Sequence, residues 1–559
     1  MNRAMRQFVL TAIVSMLGPC AGAWAQATSA GQAASVNGSY RIAGVVVSKG
    51  DGNPLARARI TVRDVKSSDK YESMITAEDG KFEFTGVPAG KYSLSGAKRG
   101  FITAAYDQHD GYSTAIVTGA GIDTENLVLK LSPDALISGV VLDEAGDPVH
   151  HAMVMLYVED HAEGMNQIHM SRSAATDDLG AYELTGLIPG TYFLSVSAKP
   201  WYAIHPPSDP AQSGSKDKSP PPTAVDRSLD VAYPVTYYAD VTDPESATPI
   251  SIRGGERIQL DVHLNPVPSL RLLFHLPNDG KGGFSFPRIE TPTFDGVMNV
   301  QTSFVRNYAS GVWEVAGIPA GRYNIQFMGT GSNPGRQMDG VNLTRDGEEI
   351  DASSAPGLSS VSVSAQAMGE AIPPKGVTIG LRSPSRTRDR WVGLDAKGTG
   401  EFQQISPGKY EVVASASGGR YSVAKIAADG AEVSGHMVTI GAGTSPSLTV
   451  SLISGSGDVQ GTVKKAGKPF AGAMVVLVPK DPEDNRDLFR RDQSDLDGTF
   501  VLHSVVTGSY TAVAIENGWD LNWAEAGVIA AYAKHGRKVQ VGVEAGRPLN
   551  LADIEVQSR

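Results

Sequence analysis

The chain has 559 residues, too many for one hydrophobic core, and at roughly 100 to 150 residues per domain it predicts about four or five domains. Its 49 basic and 60 acidic residues give a net charge of -11 with no basic tract, which argues against nucleic acid as a partner because phosphate binding needs clustered Lys and Arg. The single cysteine, Cys20, lies near the N-terminus, so the rest of the chain has no disulfide and no cysteine nucleophile.

The first residues, MNRAMRQFVLTAIVSMLGPCAGAWAQ, carry Arg3 and Arg6, an apolar run from Phe8 to Leu17 and the triplet Ala23, Trp24, Ala25. This is the pattern of a secretory signal peptide over residues 1–25, and it predicts export to the periplasm, outer surface or extracellular space. A lipoprotein reading at Cys20 fits less well, because Pro19 stands where a small residue is wanted. No later run of about 18 apolar residues predicts a membrane-spanning segment in the mature chain.

The main feature of the rest is recurrence. GKFEFTGVPAGKY (80–92) returns as GAYELTGLIPGTY (180–192), GVWEVAGIPAGRY (311–323), GEFQQISPGKY (400–410) and GTFVLHSVVTGSY (498–510). In the first copy Phe82 and Phe84 alternate with Lys81 and Glu83, and Tyr92 and Leu94 resume the alternation after the turn, which predicts a β-hairpin with one apolar face. The leading glycine stands 12 positions before the tyrosine in four copies and 10 in the fourth, a spacing that fixes register. Gly80, Gly180 and Gly498 follow acidic turn residues, where a positive φ favours glycine.

Upstream of three copies lies a second pattern: GVVVSKGDGNPLARARITV (44–62), GVVLDEAGDPVHHAMVML (139–156) and GTVKKAGKPFAGAMVVL (461–477). Each reads as a strand, a Gly-x-Pro turn and a further strand opened by Ala58, Ala152 or Ala473. Downstream, AIVTGAGIDTENLVLKL (115–131) and its counterparts read as two closing strands joined at glycine. About seven short strands per copy predict an all-β chain, a tandem array of about five antiparallel Greek-key-type β-sandwich domains. The units fall at 38–133, 134–267, 268–356, 357–453 and 454–559, with a Pro- and Ser-rich loop at 204–225 in the second. Short links between units predict a semi-rigid rod.

The pairing of GVVLDEAGDPVHHAMVML with TDDLGAYELTGLIPGTYFLSV resembles the carboxypeptidase regulatory-like domain, a transthyretin-like sandwich grouped with carbohydrate-binding-like folds. Units one, two and five carry both halves of that pattern; units three and four carry only the recurrent segment and the closing strands. In that family the module is an accessory beside zinc carboxypeptidase domains, at the N-termini of outer-membrane transporters, or in strings within exported bacterial proteins. The resemblance therefore implies a sandwich fold and a non-catalytic role, and it supplies no catalytic residue.

The residues themselves agree with that implication. No H-E-x-x-H, G-x-S-x-G or G-x-x-x-x-G-K-S/T is present, so zinc peptidase, serine hydrolase and phosphate-cradle readings lack their motifs. His150 and His151 are adjacent, and on a strand they would point to opposite faces; with His161 and His169 they read as surface residues. DLDG (495–498) is a turn and not a calcium loop, because an EF-hand starting at Asp495 would need glycine and glutamate where Phe500 and Val506 stand.

Aromatic residues after the recurrent segment are the candidate ligand-binding groups: Phe101 in the first unit, Trp201 with Tyr202 in the second, and Trp519 and Trp523 with Asp520 and Asn522 in the fifth. An exposed indole beside Asp and Asn stacks on a sugar ring while its neighbours bond the hydroxyls. The competing reading is that these rings cap the open end of each sandwich, and their recurrence at equivalent positions favours it.

The sequence thus points to an exported, non-catalytic array without cofactor or metal, acting as an envelope scaffold, adhesion or binding protein with a glycan or another envelope protein as partner. A carbohydrate-binding array and an accessory subunit of a separate peptidase are the alternatives. Lys-Asn isopeptide crosslinks, as in pilin-like sandwiches, are not required by any spacing.

Overall fold

The strand Lys81–Val87 buries Phe82, Phe84 and Val87 and exposes Lys81 and Glu83, while Gly90–Ala97 buries Tyr92 and Leu94. Both therefore have one apolar face, but they do not pair with each other. Lys81–Val87 lies antiparallel to Tyr40–Ser48 in one sheet, and Gly90–Ala97 lies antiparallel to Arg59–Asp64 in another. The recurrent segment is an arch that carries the chain from one sheet of a sandwich to the other, and not the hairpin expected from the alternation. Alternation cannot separate the two, because strands of a hairpin and strands on opposite sides of one core have the same period.

The structure, a computed structural model, describes residues 40–161, 163–205, 226–276, 287–302, 304–308, 312–329, 335–368, 376–383, 389–416, 421–454, 457–542 and 547–559. The signal segment 1–25 and positions 206–225 of the Pro-rich loop lie outside them.

The arch recurs in all five units. Ala181–Leu187 pairs with Ala135–Leu142 while Gly190–Ser197 pairs with Met153–Asp160. Val312–Ile318 and Gly321–Phe327 likewise belong to separate sheets, as do Thr399–Ile405 and Gly408–Ala416, and Thr499–Val505 and Gly508–Ile515. The closing strands behave the same way. Ile116–Thr118 joins Gly90–Ala97, and Leu127–Leu131 crosses to the other sheet, where it runs parallel to Tyr40–Ser48. Pairing is antiparallel elsewhere in these sandwiches, but each unit has such a parallel contact on its first strand, made possible by the long connection between them.

At every arch the tyrosine hydroxyl donates to the carbonyl oxygen four residues earlier. Tyr92 reaches Pro88 at 3.1 Å, Tyr192 reaches Ile188 at 2.9 Å, Tyr323 reaches Pro319 at 2.7 Å, Tyr410 reaches Ser406 at 2.8 Å and Tyr510 reaches Val506 at 2.9 Å. This is a tyrosine corner: the ring fills the core and its hydroxyl satisfies a carbonyl that the bend removes from any ladder. The turn before the arch is equally regular. Gly80, Gly180 and Gly498 have φ of 68°, 70° and 77°. In the fourth unit Gly398, with φ of 75°, takes this place, its carbonyl accepting from Ala365 at 2.8 Å as Gly180 accepts from Val141 at 2.9 Å. Counted from Gly398, the fourth copy has the 12-residue spacing; Gly400 is a strand residue.

Each sandwich encloses its own apolar cluster. The units are not a rod, however. The fifth packs against the first, through Lys91 to Asp495 at 2.6 Å, against the second, through the amide of Ala524 to the Gly164 carbonyl at 2.8 Å, and against the fourth, through His436 to Asp487 at 2.6 Å. Short links restrict each step of the chain, but they leave open the direction of each step, and here the steps bring the last unit back to the first.

Candidate functional site

Trp201 follows the arch of the second unit and stands 87% exposed, edge-on to Tyr202 with ring centroids 5.8 Å apart. The Tyr202 hydroxyl donates to one carboxylate oxygen of Glu144, and the Tyr233 hydroxyl donates to the other at 3.0 Å. Burial, then the bond to Glu144 and its charge, push the Tyr202 phenol up to about 12 and the Tyr233 phenol up as well. Both phenols are therefore neutral donors over the physiological range, and they hold Glu144 by two oxygens at once.

Pro200 and Tyr233 also line a cleft of about 760 Å³ between the second and third units. Its walls bring together the cations Lys199 and Arg322, the carboxylates Asp243, Glu245 and Asp339 and the amides Asn299, Gln301 and Asn324. The volume suits a small molecule or one to two sugar rings by the usual scale of ligand pockets. Sequence reasoning missed this cleft because its lining comes from two units, and no single motif contains it. The only trace in the sequence is the aromatic-polar run around Trp201.

The other predicted aromatics sit differently. Trp519 and Trp523 are 7% and 8% exposed, so they are not the open stacking platform expected of a sugar site. Trp519 lies flat against His109 of the first unit, centroids 5.0 Å apart and planes 5° apart, with Tyr112 at 5.8 Å. The Arg491 guanidinium is enclosed by Trp523 at 4.6 Å, Tyr112 at 4.9 Å and Trp519 at 5.3 Å, and donates to Asp110 at 3.0 Å. A cation over three ring faces is favourable, the more so when water is excluded. The rings do not cap the open end of their sandwich: with Met474, Val476, Val513 and Ile515, whose neighbours Val475, Leu477, Ala512 and Ala514 face the core, they cover the outer face of one of its sheets, against residues of other units. Asn522 meets His161 of the second unit at 2.7 Å, while Asp520 is exposed and pairs with Arg559 at 3.3 Å. Phe101 packs against the core of the first unit.

The structure thus separates the six predicted residues into Trp201 and Tyr202 beside a cleft, and Trp519, Asp520, Asn522 and Trp523 at a junction between units. A short helix, Ala526–Ala533, follows the second group and buries Ile529.

His150 and His151 occupy a turn, not a strand, and His151 has φ of 59°. Their rings stack at 3.6 Å, so the opposite-face argument does not apply to them. Among the described residues no group of three or more His, Cys, Asp or Glu is arranged to hold a metal ion. Asp495 of the DLDG turn accepts from Lys91 and from the Ala115 amide at 2.9 Å, both in the first unit.

Residues 41–129 and 136–204 match the carboxypeptidase regulatory-like domain, which places that module in the first two units. No curated protein matches the chain. Among solved structures, the Bacillus anthracis TIE protein is 12% identical over 74% of this chain and 74% of its own, with a TM-score of 0.17. A Streptococcal ancillary pilin is 12% identical over 56% of this chain and 99% of its own, TM-score 0.20. GBS52, the minor pilin of Streptococcus agalactiae, is 14% identical over 41% of this chain and 97% of its own, TM-score 0.20. Likeness at this level carries no functional conclusion.

Proposed function

We propose that this chain is an exported, non-catalytic scaffold of the cell envelope that presents one binding cleft, between its second and third sandwiches. The observation that carries the reading is the cleft itself, a cavity of about 760 Å³ with amide, cationic and acidic groups on its walls; Trp201, 87% exposed, lies outside the lining and follows the lining residue Pro200 in the chain. Export is supported by the leader-like first 25 residues. No helix among the described residues is long and apolar enough to cross a membrane.

The ligand class that best suits the site is a glycan. Amides and carboxylates bond sugar hydroxyls in pairs, and Trp201 offers a flat face to a pyranose ring. Binding of the purified protein to a glycan array and to peptidoglycan tests this, with Trp201→Ala and Arg322→Ala beside it. Loss of binding in both variants is expected. A blank array, or binding that neither substitution reduces, removes the glycan reading and leaves a scaffold with protein partners.

A further inference from the structure

The contact between the first and fifth units is built differently from the cores on either side of it. Lys91 donates to Asp495 and to Thr499, both at 2.6 Å, Arg491 to Asp110 at 3.0 Å, and Gln493 to the Asp107 carbonyl at 2.6 Å and to the Thr114 hydroxyl at 2.8 Å. The apolar contribution is small. Only Leu496 of the fifth unit packs on the core of the first, and only Tyr112 and Met165 of other units pack on the tryptophan cluster of the fifth. Interfaces of this kind, polar and laid between complete cores, resemble dissociable contacts more than the interior of a domain. No strand of either sandwich depends on the contact, since each sheet is completed within its own unit.

We infer that the fifth unit acts as a releasable clasp: closed, it covers Trp519 and Trp523 with the first and second units, and released, it presents them. His109 and Tyr112 occupy the ring faces from the first unit, and the backbone of Gly164 occupies them from the second. A Cβ at Gly164 would stand 2.6 Å from the Trp523 ring. Two substitutions release the clasp from opposite sides. Lys91→Glu sets a carboxylate against Asp495, and Gly164→Ala forces Trp523 out of its seat. Neither residue belongs to the cleft between the second and third units, so this inference stands or fails apart from the glycan reading.

The experiment compares the wild-type protein with the Lys91→Glu, Gly164→Ala double variant by small-angle scattering and by iodide quenching of tryptophan fluorescence. Circular dichroism verifies that the sandwiches remain folded. The expected result is a larger radius of gyration together with two newly quenchable indoles, lost again in Trp519→Phe, Trp523→Phe backgrounds. A folded double variant with wild-type dimensions and wild-type quenching overturns the clasp. Should the variant fail to fold, the wild-type protein is compared at about 50 mM and about 1 M salt, which screens the partly exposed pairs. Expansion with new quenching at high salt supports the clasp, and an unchanged particle overturns it.

Discussion

The Tyr192 hydroxyl donates to the Ile188 carbonyl oxygen at 2.9 Å, four residues back across the bend that takes the chain from one sheet to the other. The ring is 1% exposed, so the bond lies against the core, and the carbonyl has no strand partner. Tyr192→Phe keeps the ring and removes the bond, and its expected cost is about 1 kcal/mol, while Tyr192→Ala also leaves a cavity and costs about 3 to 5 kcal/mol. Because each unit has its own core, the loss should appear as a lower melting transition of the second unit with the others unmoved. Equal melting of wild type and Tyr192→Phe would mean that the corner is held by packing alone.

A close approach of two strands makes a sharper prediction. A Cβ on Gly139 would stand 1.8 Å from the Leu260 carbonyl oxygen, the same oxygen that accepts from the Tyr182 hydroxyl at 2.6 Å. Gly139→Ala must therefore push the parallel closing strand away and break that bond, at an expected cost of more than about 3 kcal/mol. Gly146→Ala is the control: Gly146 has φ of 84° but nothing within 4 Å of its Cβ position, so only turn strain of about 1 kcal/mol is expected. Hydrogen exchange resolved to strands Ala135–Leu142 and Val262–His263 distinguishes the two. Comparable effects of both substitutions would show that the closing strand adapts freely.

A buried hydroxyl fixes where the second strand of three units begins. Thr176 donates to the Val149 carbonyl at 2.6 Å and accepts from the Ala152 amide at 2.8 Å; Thr76 and Ser494 do the same at Ala58 and Ala473. Thr176→Val orphans two buried backbone groups and should cost about 2 to 3 kcal/mol, whereas Thr176→Ser keeps both bonds and should cost under about 1 kcal/mol. The pair of variants is read by thermal unfolding, and a Val variant as stable as the Ser variant would rule out the latch.

These examples mark how far the sequence could be read. The alternation of Phe82, Phe84, Tyr92 and Leu94 and the spacing from glycine to tyrosine were sufficient for a repeated β-sandwich, because both depend on local periodicity and turn chemistry. The same signals could not tell an arch from a hairpin, since the partner of each strand is set by residues about 40 positions away, as in Ile42 opposite Phe84. Ala58, Ala152 and Ala473 were legible as strand starts, but the hydroxyls that bond them lie 18 to 24 residues later and follow no contiguous motif. For Trp519 and Trp523 the polar neighbours Asp520 and Asn522 suggest a sugar platform, while recurrence of an aromatic at that place favours a cap on the open end of the sandwich. Asn522, His109 and Tyr112 are interface residues, and only the folding of the fifth unit back onto the first and second makes them so.

Acidity should act on the fifth unit in a direction opposite to that of most carboxylates. Asp492 accepts from the Val501 amide at 2.7 Å, yet burial, with the charge of Asp495 adding to it, pushes its carboxyl up to about 6. A folded-state value above that of the unfolded chain means that the folded protein keeps a proton which the unfolded chain has already released between about pH 4 and pH 6. The contribution of this group is thus fully present below pH 4 and is lost as pH rises through 6, by at most about 3 kcal/mol. Asp492→Asn retains a carbonyl oxygen for the Val501 amide and carries no charge. It should raise the melting temperature at pH 7.5, change it little at pH 4.5, and so remove one declining component from the pH profile. Melting of the variant and wild type followed from pH 4.5 to 7.5 supplies the test, since carboxylates that do not interact with Asp492 cancel in the difference. A difference that does not grow with pH would mean that Asp492 ionises at an ordinary carboxylate value.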